Sequence, residues 1–252
     1  MGDSNETYNR DFADYYDKIT SHKDYVAEVD TLAKLIATKA GPTAKVLDVG
    51  CGTGHHARLM AERGFDVTAV DISADMIRIA TAQPSRVTFR CVDVAKLDSR
   101  GFEFAYSLFN VVNCLDSLDA LTAMFSAIND RLADGAGFVV ETWNPIAVIA
   151  APPEVVERTY EADGETIVRR VTPKSDFLHQ RLQLHYAIGV FEPASTLKKS
   201  FSIVHELVLF TPLEVEFCLR RAGFRDVEVK TALPALAAAT ATDRMLAFTC
   251  HK

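Results

Sequence analysis

The stretch Ala44-Lys45-Val46-Leu47-Asp48-Val49-Gly50-Cys51-Gly52-Thr53-Gly54 decides the fold, because a short apolar run breaks into three alternating glycines. Val46, Leu47 and Val49 suit a buried parallel strand, and the glycines let the backbone turn sharply and approach a ligand with no side chain between them. The dinucleotide fingerprint G-x-G-x-x-G would put its third glycine at position 55, which is His55. That departure argues against a pyrophosphate cradle and against a nicotinamide oxidoreductase. Asp48 stands two residues before the first glycine and Asp71 ends the next apolar run, which suits a ligand with hydroxyls and an ammonium group.

Downstream, residues 55 to 63 read as a helix aimed at the ligand and closed by Gly64. His55 and His56 are adjacent, so on a helix they point in different directions, and no metal site is expected of them. Residues 67 to 71 form the second strand, Ser73 caps the next helix, and Met76, Ile77 and Ile79 make its apolar stripe. The third strand runs from 87 to 92 and ends at Asp93; the fourth, from 102 to 109, is almost continuously apolar, as a central parallel strand should be. A loop over 110 to 115 holds Asn113. A helix then runs over 118 to 132 and ends at Gly135, and a fifth strand over 138 to 141 leads to Trp143 and Asn144.

The glycine loop with Asp48, Asp71 and Asp93, each at the end of a predicted strand, resembles the nucleoside-binding motifs of class I S-adenosylmethionine-dependent methyltransferases. The resemblance implies an α/β fold, a seven-stranded Rossmann-like doubly wound sheet with its last strand antiparallel. It also implies S-adenosyl-L-methionine as cofactor, S-adenosyl-L-homocysteine as product, and no metal. The implied cofactor site comprises Asp48, Gly50, Cys51, Gly52, Gly54, Asp71, Ile72, Met76, Asp93, Val94 and Phe109. In it Asp71 takes the ribose hydroxyls, Asp93 and the Val94 amide take the adenine edge, and the residues just after Asp71 flank the ring. Gly50 and Gly52 hold the methionine part, with Asp48 acting on its ammonium group directly or through water.

The remaining segments read as additions to that core. One domain over 1 to 252 divides into a helical cover at 1 to 43, a cofactor-binding core at 44 to 150, an insertion at 151 to 210 and a C-terminal part of the core at 211 to 252. The cover holds Tyr8, Phe12, Tyr15, Tyr16 and Ile19 at helical spacing, then a second helix from Ser21 and Asp24 to Gly41-Pro42. The insertion alternates: Arg181, Gln183 and His185 fall on one face and Leu182, Leu184 and Tyr186 on the other, giving three or four antiparallel strands that roof the site, form a dimer surface, or both. Thr211-Pro212-Leu213-Glu214 is a capping box opening a helix that stops at Gly223, and two strands follow over 224 to 230 and 245 to 251, joined by an alanine-rich segment. Tyr16 and Asn113 are the candidate catalytic residues, Tyr8, Trp143 and His185 the candidate acceptor-binding residues, and His205 a further candidate base.

Tyr16-Asp17, Lys23 to Glu28, Leu47 to Gly54, Leu108-Phe109 and Val140-Glu141, with the stranded insertion, resemble the small-molecule N-methyltransferases that dimethylate nucleotide-linked amino sugars. Those enzymes imply a histidine in the loop after the fourth strand, where this chain has Cys114. The expected reaction is N-methylation of a small amine by in-line displacement; O-methylation of a metabolite and a non-catalytic S-adenosylmethionine sensor are the alternatives. A formal net charge of -7 over 252 residues disfavours nucleic acid and anionic membrane as partners. No run approaches the roughly 18 apolar residues that span a bilayer, and the five cysteines show no paired spacing, so a cytoplasmic enzyme with reduced thiols is expected; the insertion as a dimer surface would make it a homodimer.

Overall fold

The structure, a computed structural model, describes residues 9 to 193 and 196 to 252. Helix α1 (Arg10–Ile19) and helix α2 (Tyr25–Ala40) precede strand β1 (Lys45–Val49), and α3 (His55–Glu62), β2 (Asp66–Asp71), α4 (Ala74–Thr81) and β3 (Thr88–Cys91) follow. Then come β4 (Phe102–Ser107), α5 (Leu118–Arg131), β5 (Leu132–Trp143) and the short helix α6 (Pro145–Ala150). The insertion supplies β6 (Val156–Ala162), β7 (Glu165–Asp176), β8 (Arg181–Glu192) and β9 (Thr196–Val208), and α7 (Pro212–Arg221), β10 (Arg225–Thr231) and β11 (Met245–His251) close the chain. Among the described residues no helix is long and apolar enough to cross a membrane.

The main sheet has the order β10-β11-β5-β4-β1-β2-β3, with β11 antiparallel to both of its neighbours, as expected. Its central strands are buried on both faces because helices cover both. Phe125, Leu121 and Ile128 of α5 and Val215 and Leu219 of α7 pack on one side, and Val29, Leu32 and Ile36 of α2 with Ala57 and Met60 of α3 pack on the other. The helix starts follow their capping residues. Asp24 accepts from the Ala27 amide at 3.0 Å, and Thr211 with Glu214 forms the reciprocal capping box.

Three boundaries differ from the sequence reading. The helix expected to run to Gly135 stops at Arg131, and the chain passes directly into β5, with Gly135 at φ +76 inside an irregular stretch where five residues of β5 oppose two of β4. β4 ends at Ser107, because Phe109 and Asn110 both take positive φ and leave the sheet. The helix over Pro145–Ala150 was not expected; Asn144 caps it from the end of β5.

The insertion is a four-stranded antiparallel meander in the order β6-β7-β8-β9. Its first turn is Asp163-Gly164, both at positive φ, a sequence signal for a two-residue hairpin. One face of this sheet packs α1 at one end, through Ile167, Ile188, Val190 and Ile203 against Phe12, Ala13 and Ile19. At the other end Leu182, Leu184 and Leu207 pack against Val148 of α6. α1 also carries ion pairs outward in two directions: Asp14 to Arg78 of α4, and Asp11 and Lys18 to Lys199 and Glu165 of the insertion.

Candidate active site

Strand order reverses between β1 and β4, and the crevice expected at such a point lies beyond their carboxyl ends. A cleft of about 460 Å³ occupies it, walled by the ends of β1 to β4 and covered by Tyr16 of α1 and Tyr25 of α2. Asp48, Gly50, Cys51, Gly52, Asp71, Ile72, Met76, Asp93, Val94 and Phe109 all line it, so the spacing in the sequence does converge on one place.

The glycine loop is shaped by three different demands. A Cβ at Gly50 would stand 2.5 Å from Val111, and one at Gly54 2.6 Å from Phe89, both at positive φ. At Gly52, φ +54, a Cβ would meet nothing, because that position faces the open cleft. Gly54 lies behind the loop as the left-handed N-cap of α3 and is not among the lining residues. Its requirement is packing.

The acids differ as sharply. Asp48 is 3% exposed, and its Oδ2 has no hydrogen-bond partner among the described residues. Burial pushes its carboxyl up to about 8, the neighbouring Tyr106 hydroxyl pulls it down, and the charge of Asp71 adds to the rise. Asp71 accepts the Gly52 amide on Oδ2 and the Ser73 amide on Oδ1, each at 2.8 Å, tying the loop to the end of β2. The sequence reading gave the local capping work to Ser73, whose hydroxyl does receive the Met76 amide; Asp71 performs a second local task beside it. Burial raises Asp71 above the usual carboxylate range, against the pull of those amides. Asp93 is exposed and caps the turn that follows it, through the Ala95 amide at 2.8 Å.

A second cleft, of about 390 Å³, opens between the insertion and the loop after β4. Alternate residues of the meander face it: Val156 and Arg158 of β6, Arg169 and Val171 of β7, Leu184 and Tyr186 of β8, and His205 and Leu207 of β9. The two clefts share Tyr16, Phe109 and Cys114. Tyr16 thus lies where they meet, and burial, then the neighbouring phenols of Tyr25 and Tyr186, hold its hydroxyl well above the usual range, as a neutral donor.

Three expectations are corrected here. Asn113 is fully buried and lines neither cleft; its amide donates to the Val208 carbonyl at 2.7 Å, and its Oδ1 accepts from the Thr142 hydroxyl and the Trp143 amide, each at 3.1 Å. It brackets the loop, β5 and β9, and lies out of reach of either cleft. His185 is exposed on the opposite face of β8 from the cleft, as the strand alternation requires. His205 does face the cleft, and burial lowers it to about 4, so it is neutral at pH 7 and a weak base. Trp143 lines the second cleft, with a buried indole N–H that has no partner among the described residues. Tyr8 lies outside the described residues.

Other residues of the site escaped the sequence reading. The adjacent histidines each have an acid partner from another element: His55 lies 3.3 Å from Asp17, which also accepts from Thr53 at 2.5 Å, and His56 lies 2.8 Å from Glu28. Glu28 in turn pairs with Lys23 at 3.0 Å, and Lys23 stands 3.9 Å over the Phe109 ring. Glu141, 4% exposed near the end of β5, accepts the Phe109 amide at 3.1 Å and the Leu233 amide at 2.9 Å. An acid inside an apolar strand, next to its carboxyl end, was the signal available for it.

Comparison with known proteins agrees with this geometry. The Methyltransferase domain family matches residues 20–229. A dTDP-3-amino-3,4,6-trideoxy-alpha-D-glucopyranose N,N-dimethyltransferase from Streptomyces venezuelae is 29% identical over 224 residues, which is 86% of this chain and 92% of that one. A dTDP-3-amino-3,6-dideoxy-alpha-D-glucopyranose N,N-dimethyltransferase from Streptomyces fradiae is 29% identical over 222 residues, 86% and 84% of the two chains. The crystal structure of Streptomyces venezuelae DesVI superposes with a TM-score of 0.80 at 26% identity, covering 96% of this chain and 99% of that one. The chain belongs to the methyltransferase domain family, and is a class I S-adenosylmethionine-dependent methyltransferase.

Proposed function

We propose that this enzyme methylates the amino group of a small, nucleotide-linked amino sugar, with S-adenosylmethionine in the first cleft and the amine in the second. The observation that carries the reading is the junction: two clefts of ligand size meet only through Tyr16, Phe109 and Cys114 among their lining residues. The printed activities of the two Streptomyces relatives support the choice of an amino sugar.

The first cleft fits the cofactor on two observations. Asp48 leaves a buried carboxyl oxygen without a hydrogen-bond partner among the described residues, which suits an ammonium group, and Gly52 leaves open the space that a side chain would fill. When bound, S-adenosylmethionine supplies a methyl group on a positively charged sulfur. Around it, Asp71 has lone pairs left that would take ribose hydroxyls, Asp93, Val94 and the exposed Ile72 would hold the base, and Cys51, Met76 and Phe109 would wall the sulfonium end. Burial and the adjacent acids hold the Cys51 thiol protonated, so it offers packing and no charge.

Catalysis rests on alignment. Holding a neutral amine about 3 to 3.5 Å from the methyl group supplies most of the acceleration such a transfer needs. Tyr16, neutral at the junction, accepts a hydrogen bond from an amine N–H and so leaves the lone pair free to attack the methyl carbon as the carbon–sulfur bond breaks; it is too strongly held protonated to serve as a base, and the product ammonium gives its proton to solvent. Calorimetry with S-adenosylmethionine and with NAD, followed by mass spectrometry on nucleotide-linked amino sugars, their hydroxyl analogues and phenols, tests the reading. Methylation confined to the amines is expected. Transfer to the hydroxyl compounds in preference, or absence of S-adenosylmethionine binding, overturns it.

A further inference from the structure

The chain leaves β4 through Phe109 and Asn110, two successive residues other than glycine at φ +60 and +65. Phe109 is bound into that turn, because its amide donates to the buried Glu141 side chain and its ring lies 3.9 Å from the Lys23 ammonium. Asn110 is bound through its backbone. Its carbonyl accepts the Asn113 amide at 3.0 Å and lies 3.9 Å from the Cys114 sulfur, but its side chain does not cap the turn that it starts, which is the ordinary work of an asparagine at such a place. Its Oδ1 is buried without a hydrogen-bond partner among the described residues. Such an atom costs the fold stability until something donates to it.

Asn110 lines the second cleft, as do two other residues with a buried polar atom that has no partner among the described residues, Trp143 at Nε1 and Arg169 at Nε. Those two atoms are donors, and the asparagine oxygen is the acceptor of the three. An attacking amine presents N–H groups, so it needs acceptors. His205 stands on β9 with its ring packed on Phe12 and Tyr186. Asn110 directly follows Phe109 and comes one turn before Cys114, and both of those residues line both clefts, so its oxygen lies beside the junction where Tyr16 also stands. The terminal torsion of an asparagine is soft, and the carboxamide can turn its oxygen to a donor that enters.

We infer that Asn110 is a catalytic residue whose side-chain oxygen accepts an N–H of the attacking amine. The inference rests on the reading that the second cleft takes the amine. A primary amine carries two N–H groups and one lone pair in tetrahedral arrangement. With Tyr16 accepting one N–H and Asn110 the other, the lone pair has one direction left, toward the methyl carbon. As that pair forms the nitrogen–carbon bond, the carbon–sulfur electrons pass to sulfur and the nitrogen becomes positive, which makes its N–H groups stronger donors. The bond to Asn110 therefore tightens in the transition state, and its loss falls on kcat more than on KM.

The test compares Asn110→Gly with Asn110→Asp in the full chain, with a thymidine-diphosphate-linked primary amino sugar as the probe. Glycine keeps the left-handed backbone and removes the acceptor; aspartate keeps an acceptor on a side chain of the same length and also tolerates that backbone. The glycine variant is expected to lose about tenfold in kcat, with KM and the calorimetric affinity for S-adenosylmethionine within about twofold of the wild type and a thermal midpoint equal to or above it. The aspartate variant is expected to keep kcat within about threefold. Wild-type kcat in the glycine variant, or a loss shared equally by both variants, overturns the catalytic role. So does a glycine variant whose lower kcat comes with a lower thermal midpoint, because the role is then structural. Absence of turnover of the probe by the wild type overturns the proposed function and this inference with it, whereas the variant outcomes strike the inference alone.

Discussion

The two clefts on either side of Tyr16 are built by opposite means. The first cleft draws its groups from consecutive strand ends of one sheet, so backbone turns and short-range spacing place them. The second draws residues from α1, the loop after β4 and all four strands of the insertion, and only the packing of one sheet against another brings them together. The first kind of site is rigid and intolerant, because each group is also part of the fold. The second can change residue by residue while the frame persists.

That contrast is open to attack by substitution. The largest effect is expected at Gly50: adding a Cβ at φ +77, 2.5 Å from Val111, combines left-handed strain with overpacking and should cost about 2 to 5 kcal/mol of stability by urea denaturation. A Gly50→Ala protein as stable as the wild type would show that the loop is less constrained than it looks.

Next comes Asp48. Its folded value of about 8 lies above the ~3.9 of an unfolded aspartate, so across that window the folded chain keeps a proton that the unfolded chain releases, and stability falls as pH rises from about 4 to 8. Asn does not titrate. Asp48→Asn should therefore match the wild type at pH 4 and exceed it at pH 8, without cofactor, by several kcal/mol, while binding S-adenosylmethionine more weakly. A pH-independent difference between the two proteins would sink the assignment.

Asp71→Ala should weaken S-adenosylmethionine binding by about 1 to 3 kcal/mol in calorimetry. Unchanged affinity means that this acid serves only the Gly52 and Ser73 amides. At the junction, Tyr16→Phe is expected to lower kcat about tenfold, the equivalent of roughly 1.4 kcal/mol, with little change in cofactor affinity; a change confined to cofactor binding would move Tyr16 to the other side of the comparison. The smallest effect belongs to His185, whose replacement by Ala should alter stability and kcat/KM by less than about 0.5 kcal/mol.

The same difference explains what the sequence made legible. Gly50, Asp71 and Asp93 could be read in advance because each sits a fixed few residues from a strand whose apolar run is visible, so local periodicity already fixed its place. Asn113 was misread for a physical reason: a polar residue in a loop near the site is as useful for bracketing Val208, Thr142 and Trp143 as for chemistry, and those partners are remote in sequence. With His185 the alternation was correctly read, but which face the cleft takes depends on where α1 and α6 pack. Arg158 and Arg169 could be paired only through the two-residue turn Asp163-Gly164. Their meeting is set by the register of a hairpin.

Helix α1 has a consequence for how the enzyme responds to its solvent. At ten residues it is too short to hold its shape in isolation, and it stays folded over the cleft, with Tyr16 on it, by its apolar face and by ion pairs to α4 on one side and the insertion on the other. Those pairs are partly exposed and contribute only about 0 to 1 kcal/mol each, less as the salt concentration rises. The cover over the transfer point is thus clipped on from both sides by contacts that dissolved salt loosens together. Ligand exchange beneath it should quicken as ionic strength rises, making the medium itself a control on turnover.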